Sequence, residues 1–248
     1  MLCISRKINL KPVFSCMLLL ITVNSFAQQH VVDSGRYQTA VNNTINHFKQ
    51  TLGVQSGLYN GQEYISFSRL RQSNVFFHDA QTWDNGIVNY DGMIYTNVPM
   101  MYDLYKNVVV VQLYNMASSY TLITEKITDF TLQNHHFVYR FSDSLNTNGL
   151  QSGLYDQLYG GKTEVLVKRE KILIVSSGQQ NTFPEEDQIF IKVGNMYYPA
   201  GSQHKVLSIL KAKRKDLRKY INDSNVIFKD NQEPATVRVA VYYDKLTQ

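Results

Sequence analysis

Cysteine is nearly missing: Cys3 and Cys16 are the only two in 248 residues, and both sit within the first 27. If that segment is removed, the remaining chain has no thiol, which excludes disulfides, a thiol nucleophile and cysteine-held metals. The 221 residues left (248 − 27) are enough to bury a core without such staples. Long apolar runs are scarce too. The longest, 13–23, has about 11 residues against the roughly 20 that cross a bilayer, so no transmembrane helix is expected. A strong charge of one sign is also lacking. The formal net charge is +5, but Arg6, Lys7 and Lys11 supply three of those charges, leaving +2 (5 − 3) without them. That balance gives no argument for a nucleic-acid partner. The sequence contains no HExxH and no GxSxG, and the spacing gives no reason to expect a metal or a cofactor. Gly160-Gly161-Lys162-Thr163 echoes only the end of a phosphate loop, without the upstream glycine spacing or a following helix, and predicts a hairpin turn instead.

What is present begins with a leader-like segment. Positive residues, the apolar run 13–23 and Ser25-Phe26-Ala27 before Gln28 are the three parts of a secretory signal peptide, with cleavage expected after Ala27. Cys16 lies near the start of the apolar run rather than just after it, so lipidation is not expected. The mature chain is then 28–248, read as one β-rich domain in an exported, periplasmic or cell-envelope protein.

Over 33–52, Tyr37, Ala40, Val41, Ile45, Phe48 and Leu52 recur at three- and four-residue intervals between Ser34 and Gly53, predicting an amphipathic helix. His47 lies beside its apolar face, as packing or exposure explains. Gln55-Ser56-Gly57-Leu58-Tyr59 recurs at Gln151-Ser152-Gly153-Leu154-Tyr155, from either an old hairpin duplication or a shared local turn requirement. Between and after the copies come short aromatic and β-branched runs at 63–67, 75–77, 87–90, 93–98, 101–105, 108–113, 119–123, 130–132, 137–141, 154–159, 163–168, 172–175, 189–193 and 196–199. Asp91-Gly92 is a type I′ turn signal that should pair Tyr90 with Met93. Lys106-Asn107 repeats the device between Tyr105 and Val108, Gly194-Asn195 closes a last hairpin, and Pro99 belongs at a strand end or edge. The stretch 176–187 reads as an exposed loop.

From 202 to 220 the period becomes helical. Val206, Ile209, Leu210, Leu217, Tyr220 and Ile221 share a face, Lys213 falls within the stripe, and a second helix is predicted over 234–246 with Pro234 in its first turn. The fold class is therefore α+β and β-rich: an antiparallel meander forming a half-barrel or sandwich, with an N-terminal helix and a helical C-terminal subregion over about 202–248. The runs YDGMIYTNVPMMYDLYKNVVVV (90–111) and FIKVGNMYYPAGSQHKVLSILKAKRKDLRKYI (190–221) resemble a group of exported proteins of Bacteroidetes-type bacteria. The resemblance implies an envelope location and carries no activity.

Few residues offer chemistry. His135-His136 would point to opposite faces of a strand, so they do not suggest a metal site. His78-Asp79 and Trp83-Asp84 place carboxylates near the only tryptophan, the raw material of a glycosidase, but turn-forming Asp and a packed Trp explain the same residues and are the preferred reading. Tyr-Asp pairs recur at Asp91, Asp103 and Asp156; Asp103 falls inside a predicted strand, where burial would demand a Lys or Arg partner or a raised pKa. Carboxylate candidates are thus Asp79, Asp84 and Asp103, and candidate ligand contacts are Trp83, Tyr95 and Tyr102. The cations over 211–219 read as a solvated helix face complementing the helix dipole. The expected function is a non-catalytic envelope binder or adaptor, acting on an envelope protein or glycan through the sheet or an edge strand. A glycan hydrolase and a small outer-membrane barrel are the alternatives.

Overall fold

Asp91 and Gly92 both take positive φ, 52° and 76°, as a type I′ turn requires, and Tyr90 faces Met93 across them. Gln133 and Asn134 do the same (φ 49° and 64°) between Leu132 and His135. Between Val193 and Met196 the two-residue turn has positive φ at its first position only, Gly194 (62°). The computed structural model describes residues 38–41, 43, 55–65, 74–113, 116, 118–142, 149–175 and 182–247. The expected signal peptide and most of the predicted helix over 33–52, His47 included, lie outside the described residues; 38–41 and 43 are helical. Contacts divide the chain into Met1–Thr51 and Leu52–Gln248, and the sheet and the C-terminal helices all belong to the second unit.

The described residues include ten strands: β1 (Asp84–Tyr90), β2 (Met93–Asp103), β3 (Val108–Gln112), β4 (Ser119–Thr121), β5 (Ile127–Leu132), β6 (His135–Arg140), β7 (Gly153–Tyr159), β8 (Val165–Lys168), β9 (Gln188–Val193) and β10 (Met196–Pro199). All pair antiparallel in one open sheet, in the order β10-β9-β8-β7-β6-β5-β1-β2-β3-β4. The expected meander is there, as a single sheet rather than a sandwich. Only β5 and β1 are neighbours out of sequence, so two meanders are spliced along β1. Helices α1 (Gln203–Ile209), α2 (Arg214–Asp223) and α3 (Gln232–Leu246) follow.

Several local readings need correction. Pro99 lies inside β2, which runs unbroken from Met93 to Asp103. It faces Asn85 of β1, while pairing to β3 starts only at Met100, so no second ladder asks for its missing N–H. The reversal before β3 is a four-residue loop, because Asp103 rather than Tyr105 faces Val108. Asp103 Oδ1 accepts from the backbone N–H of Tyr105 (2.9 Å) and Lys106 (2.8 Å), an Asx-type cap that replaces the two-residue turn. The stretch 182–185 is no free loop: it bridges 171–174 through Ile174–Thr182 and Lys171–Glu185, and Phe183 is buried against Val75, Phe76, Met101 and Val110. The single helix expected over 202–220 breaks at Leu210 (φ −86°, ψ 37°) into α1, a 3-10 turn and α2. Continued regularly from Leu210, a helix would have carried Lys213 and Arg214 on the buried stripe. The two QSGLY copies also differ, the first in a 3-10 turn and the second entering β7, so they share a local sequence and not a fold unit.

Cross-strand register explains the core. Tyr95, Val88, Phe130, Phe137, Asp156, Val167 and Ile189 form one row of directly facing residues across seven strands, all on one face because strand side chains alternate. At one end of that face Tyr102, Phe130, Phe137 and Leu154 fill a core; at the other, Val165, Val167, Ile189 and Ile191 pack with Val206, Leu210, Leu217, Ile221 and Val239 of the helices. Asp156 is the row's one charge.

The opposite face has its own buried carboxylate. Glu164 accepts hydrogen bonds from Tyr197, Gln157 and Arg140. Burial alone would raise its pKa, but those bonds and the Arg140 charge outweigh burial and hold it below the ordinary 4.5. The Tyr197 hydroxyl is pushed up to about 12, first by burial and then by Glu164. A carboxylate depressed in the folded state adds stability above its unfolded pKa and loses it as pH falls through the folded one. Urea midpoints measured from neutral pH down through 4.5 should therefore fall less steeply for Glu164→Gln than for the parent; identical slopes would show that this group is not linked to folding.

Candidate functional site

Alternation decides which polar groups meet. His135 comes two residues before Phe137, Arg169 two after Val167 and Asp187 two before Ile189, so all return to the face of Asp156. His135 Nδ1–H donates to Asp156 Oδ2 at 2.7 Å. Asp156 is 1% exposed, and a carboxylate so placed needs a charged, hydrogen-bonded partner. Arg169 supplies one, donating from Nε (3.0 Å) and Nη2 (2.7 Å) to Asp156. Its remaining donors reach Asp187 (2.5 Å) and both Glu233 oxygens (2.5 and 2.9 Å), tying the first turn of α3 to the sheet. Burial by itself would lower the Arg169 pKa; the bonds to Glu233, Asp187 and Asp156 outweigh it and raise it.

A second group of contacts starts at the 3-10 turn Phe77–Asp79. His78 (φ 50°) and Asp79 (φ 49°) are consecutive left-handed non-glycine residues, a conformation that costs roughly 1–3 kcal/mol each and persists only where surroundings enforce it. Here they do. Lys171 Nζ holds Asp79 at 2.5 Å and the Asn74 and Phe76 carbonyls at 3.1 Å. The His78 ring stacks on Phe77 at 3.9 Å and meets His135 edge-on at 5.0 Å. His78 Nδ1–H donates to Gln133 Oε1 at 3.1 Å, and Gln133 Nε2 donates to Asp84. A polar chain therefore runs from Asp84 through Gln133 to His78, and by ring contact to His135, Asp156, Arg169 and Glu233.

The Asp84 end opens to a concavity of about 240 Å³ lined by Asp84, Asn85, Gly86, Ile87, Thr131, Gln133 and Asn134. A side chain at Gly86 would place its Cβ 2.5 Å from the Thr131 carbonyl, so glycine permits this close approach of β1 to β5. The lining offers amides, a hydroxyl, one exposed isoleucine and a single carboxylate. These are hydrogen-bonding groups in both senses around a small apolar patch.

The sequence-derived candidates are scattered among different roles. Asp84 lines the concavity. Asp79 is spent on Lys171. Asp103 is fully buried; its partners are the Tyr64 hydroxyl (2.7 Å) and two backbone N–H groups, so the Lys or Arg named as one of two expected answers to its burial is not what meets it. Trp83 is half-exposed and packs against the Phe76–Phe183 cluster. Tyr95 and Tyr102 are buried in the core, where Tyr102 Oη donates to Asn107 at 2.5 Å and burial raises its pKa. Neither tyrosine offers a surface to a ligand. His136 lies on the opposite face from His135, within reach of Gln157 (3.2 Å) and Asp129 (3.4 Å). Among the described residues, no three His, Cys, Asp or Glu side chains converge to hold a metal. Sequence reading missed the His135–Asp156–Arg169–Glu233 network altogether. No protein-family model, curated protein or solved structure matches the chain.

Proposed function

We propose that this chain is a non-catalytic binding protein of the bacterial cell envelope, and that its ligand is a glycan engaged at the Asp84–Gln133 concavity. The leader-like 1–27 segment supports export. The concavity carries the reading of the ligand: at about 240 Å³ it is below the usual range for drug-sized molecules and suits one sugar ring or a chain end. Its amides, hydroxyl and carboxylate match the alternating donors and acceptors of a polyol.

Binding without turnover is favoured over hydrolysis because the concavity is lined by one carboxylate, whereas glycoside cleavage uses two. An edge-strand adaptor is less well supported. Residues 62–64 already hydrogen-bond along β4, with Tyr64 N–H to Ser119 O at 2.8 Å and Thr121 N–H to Gln62 O at 2.9 Å. A membrane barrel requires closure, and β4 and β10 stand at opposite ends of the sheet order.

Isothermal titration with N-acetylglucosamine, its β-1,4-linked disaccharide and glucose is the test. At least one should bind, with no release of reducing ends. Asp84→Ala should weaken binding roughly 10- to 100-fold, the loss of a charged hydrogen bond. Absence of binding to all three, or cleavage of the disaccharide, would overturn the proposal.

A further inference from the structure

Outside the leader-like segment 1–27, which holds Arg6, Lys7 and Lys11, the surplus of positive charge is confined to one stretch. Residues 205–219 hold Lys205, Lys211, Lys213, Arg214, Lys215, Arg218 and Lys219 against a single acid, Asp216, for a net +6 (7 − 1). All other residues together sum to −1 (5 − 6). Six of the seven cations are exposed and Lys213 is half-buried. Among the described residues none of the seven forms an ion pair, whereas Lys126, Arg140, Lys168, Arg169 and Lys171, elsewhere in the chain, do.

The fold gathers these charges on one side. Leu217 and Ile221 of α2 are buried against the sheet, which fixes the helix rotation. With about 100° per residue, Arg214, Lys215, Arg218 and Lys219 then fall within an arc of about 140°, and Asp216 lies outside it. The preceding turn adds Lys211 and Lys213. Five of the seven are lysines, compact charges suited to a diffuse anionic surface rather than to bidentate readout. No aromatic residue occurs within 205–219 to provide the stacking that single-stranded nucleic acid uses.

We propose that the α1–α2 segment, residues 205–219, docks the protein electrostatically onto a membrane surface rich in anionic phospholipid headgroups. The buried stripe keeps the helices on the sheet, and the cations meet the headgroups without insertion. This surface is separate in sequence from the Asp84 concavity, so glycan binding and membrane binding succeed or fail independently.

Sedimentation with vesicles of mixed phosphatidylglycerol and phosphatidylcholine, against pure phosphatidylcholine, tests it on the full chain. The N-terminal apolar segment is common to all variants and cancels in the comparison. The parent should partition preferentially to the anionic vesicles. That preference should collapse as salt rises from about 0.1 M to about 1 M, where the screening length falls from about 10 Å to about 3 Å. The triple variant Lys215→Gln/Arg218→Gln/Lys219→Gln should lose roughly 100-fold in partitioning, about fivefold per charge, with an unchanged circular dichroism spectrum. The control Lys229→Gln/Lys245→Gln, equally exposed but outside the segment, should change it less than about threefold. Equal partitioning to both vesicle types, a control as impaired as the triple variant, or displacement from vesicles by double-stranded DNA at concentrations below those of the lipid would each overturn the assignment.

Discussion

Replacing Arg169 with methionine is expected to destabilise the protein by about 3–5 kcal/mol, the usual cost of leaving a buried charge without its partner. Asp156 sits between Phe137 and Val167 in the apolar row, and Arg169 gives it two hydrogen bonds. His135 remains as its other partner, 2.7 Å away, but a single imidazole hydrogen bond does not replace the two that the guanidinium supplies. The same substitution also strips Glu233 and Asp187 of their common partner, loosening α3 from the sheet. Urea unfolding at neutral pH measures the loss. The double variant Asp156→Leu/Arg169→Met should recover most of it, because apolar pairs often replace buried ion pairs at little cost. A single-variant loss below about 1 kcal/mol, the scale of exposed ion pairs, would mean that water reaches Asp156 and that the network is a surface feature.

Phe137→Ala should cost about 3–5 kcal/mol, the range for removing a buried aromatic ring. The ring is fully buried and stacks on Phe130 at 4.6 Å, with Tyr102 and Phe77 edge-on at 5.2 Å. Those neighbours come from β5, β2 and the turn at Phe77, so no one element can shift to close the void. At about 2–4 °C per kcal/mol for a unit of this size, thermal unfolding should fall by roughly 6–20 °C. A shift of only about 2 °C would show that the core centred on this row contributes little, and that stability resides in the helix-covered end around Val165 and Ile191.

The parts of this architecture that were legible in the sequence are those fixed by neighbouring residues. Asp91-Gly92 names its turn because both positions must accept positive φ, a requirement met within two residues. The helical stripe of α2 is equally local. Pro99 was harder: whether proline interrupts a strand depends on where β3 stops, which no residue near Pro99 encodes. Phe183 was overlooked in a polar stretch because a single aromatic makes no pattern, and its burial is set by Val75, Phe76 and Met101 far along the chain.

The polar network was hidden for the same reason. Its members at 135, 156, 169, 187 and 233 meet only through the register of four strands and the docking of α3. One signal was available. In Leu154-Tyr155-Asp156 and His135-His136-Phe137, strict alternation puts Asp156 and His135 on the side of Leu154 and Phe137, and an inward carboxylate within an apolar row demands a cation. Asp103 raised that question correctly but met a different answer, a tyrosine and two backbone amides.

The splice of β5 onto β1 has a consequence for biogenesis. During synthesis, the ribbon from Asp84 to Thr121 can assemble before Ile127 is available, and until then the outer rim of β1 carries unmet amide and carbonyl groups beside Val88 and Tyr90. Such a rim is a template for another nascent copy. The short hop from Thr121 to Ile127 limits that window, because the cognate strand is tethered only a few residues away and so competes at high local concentration with any stranger.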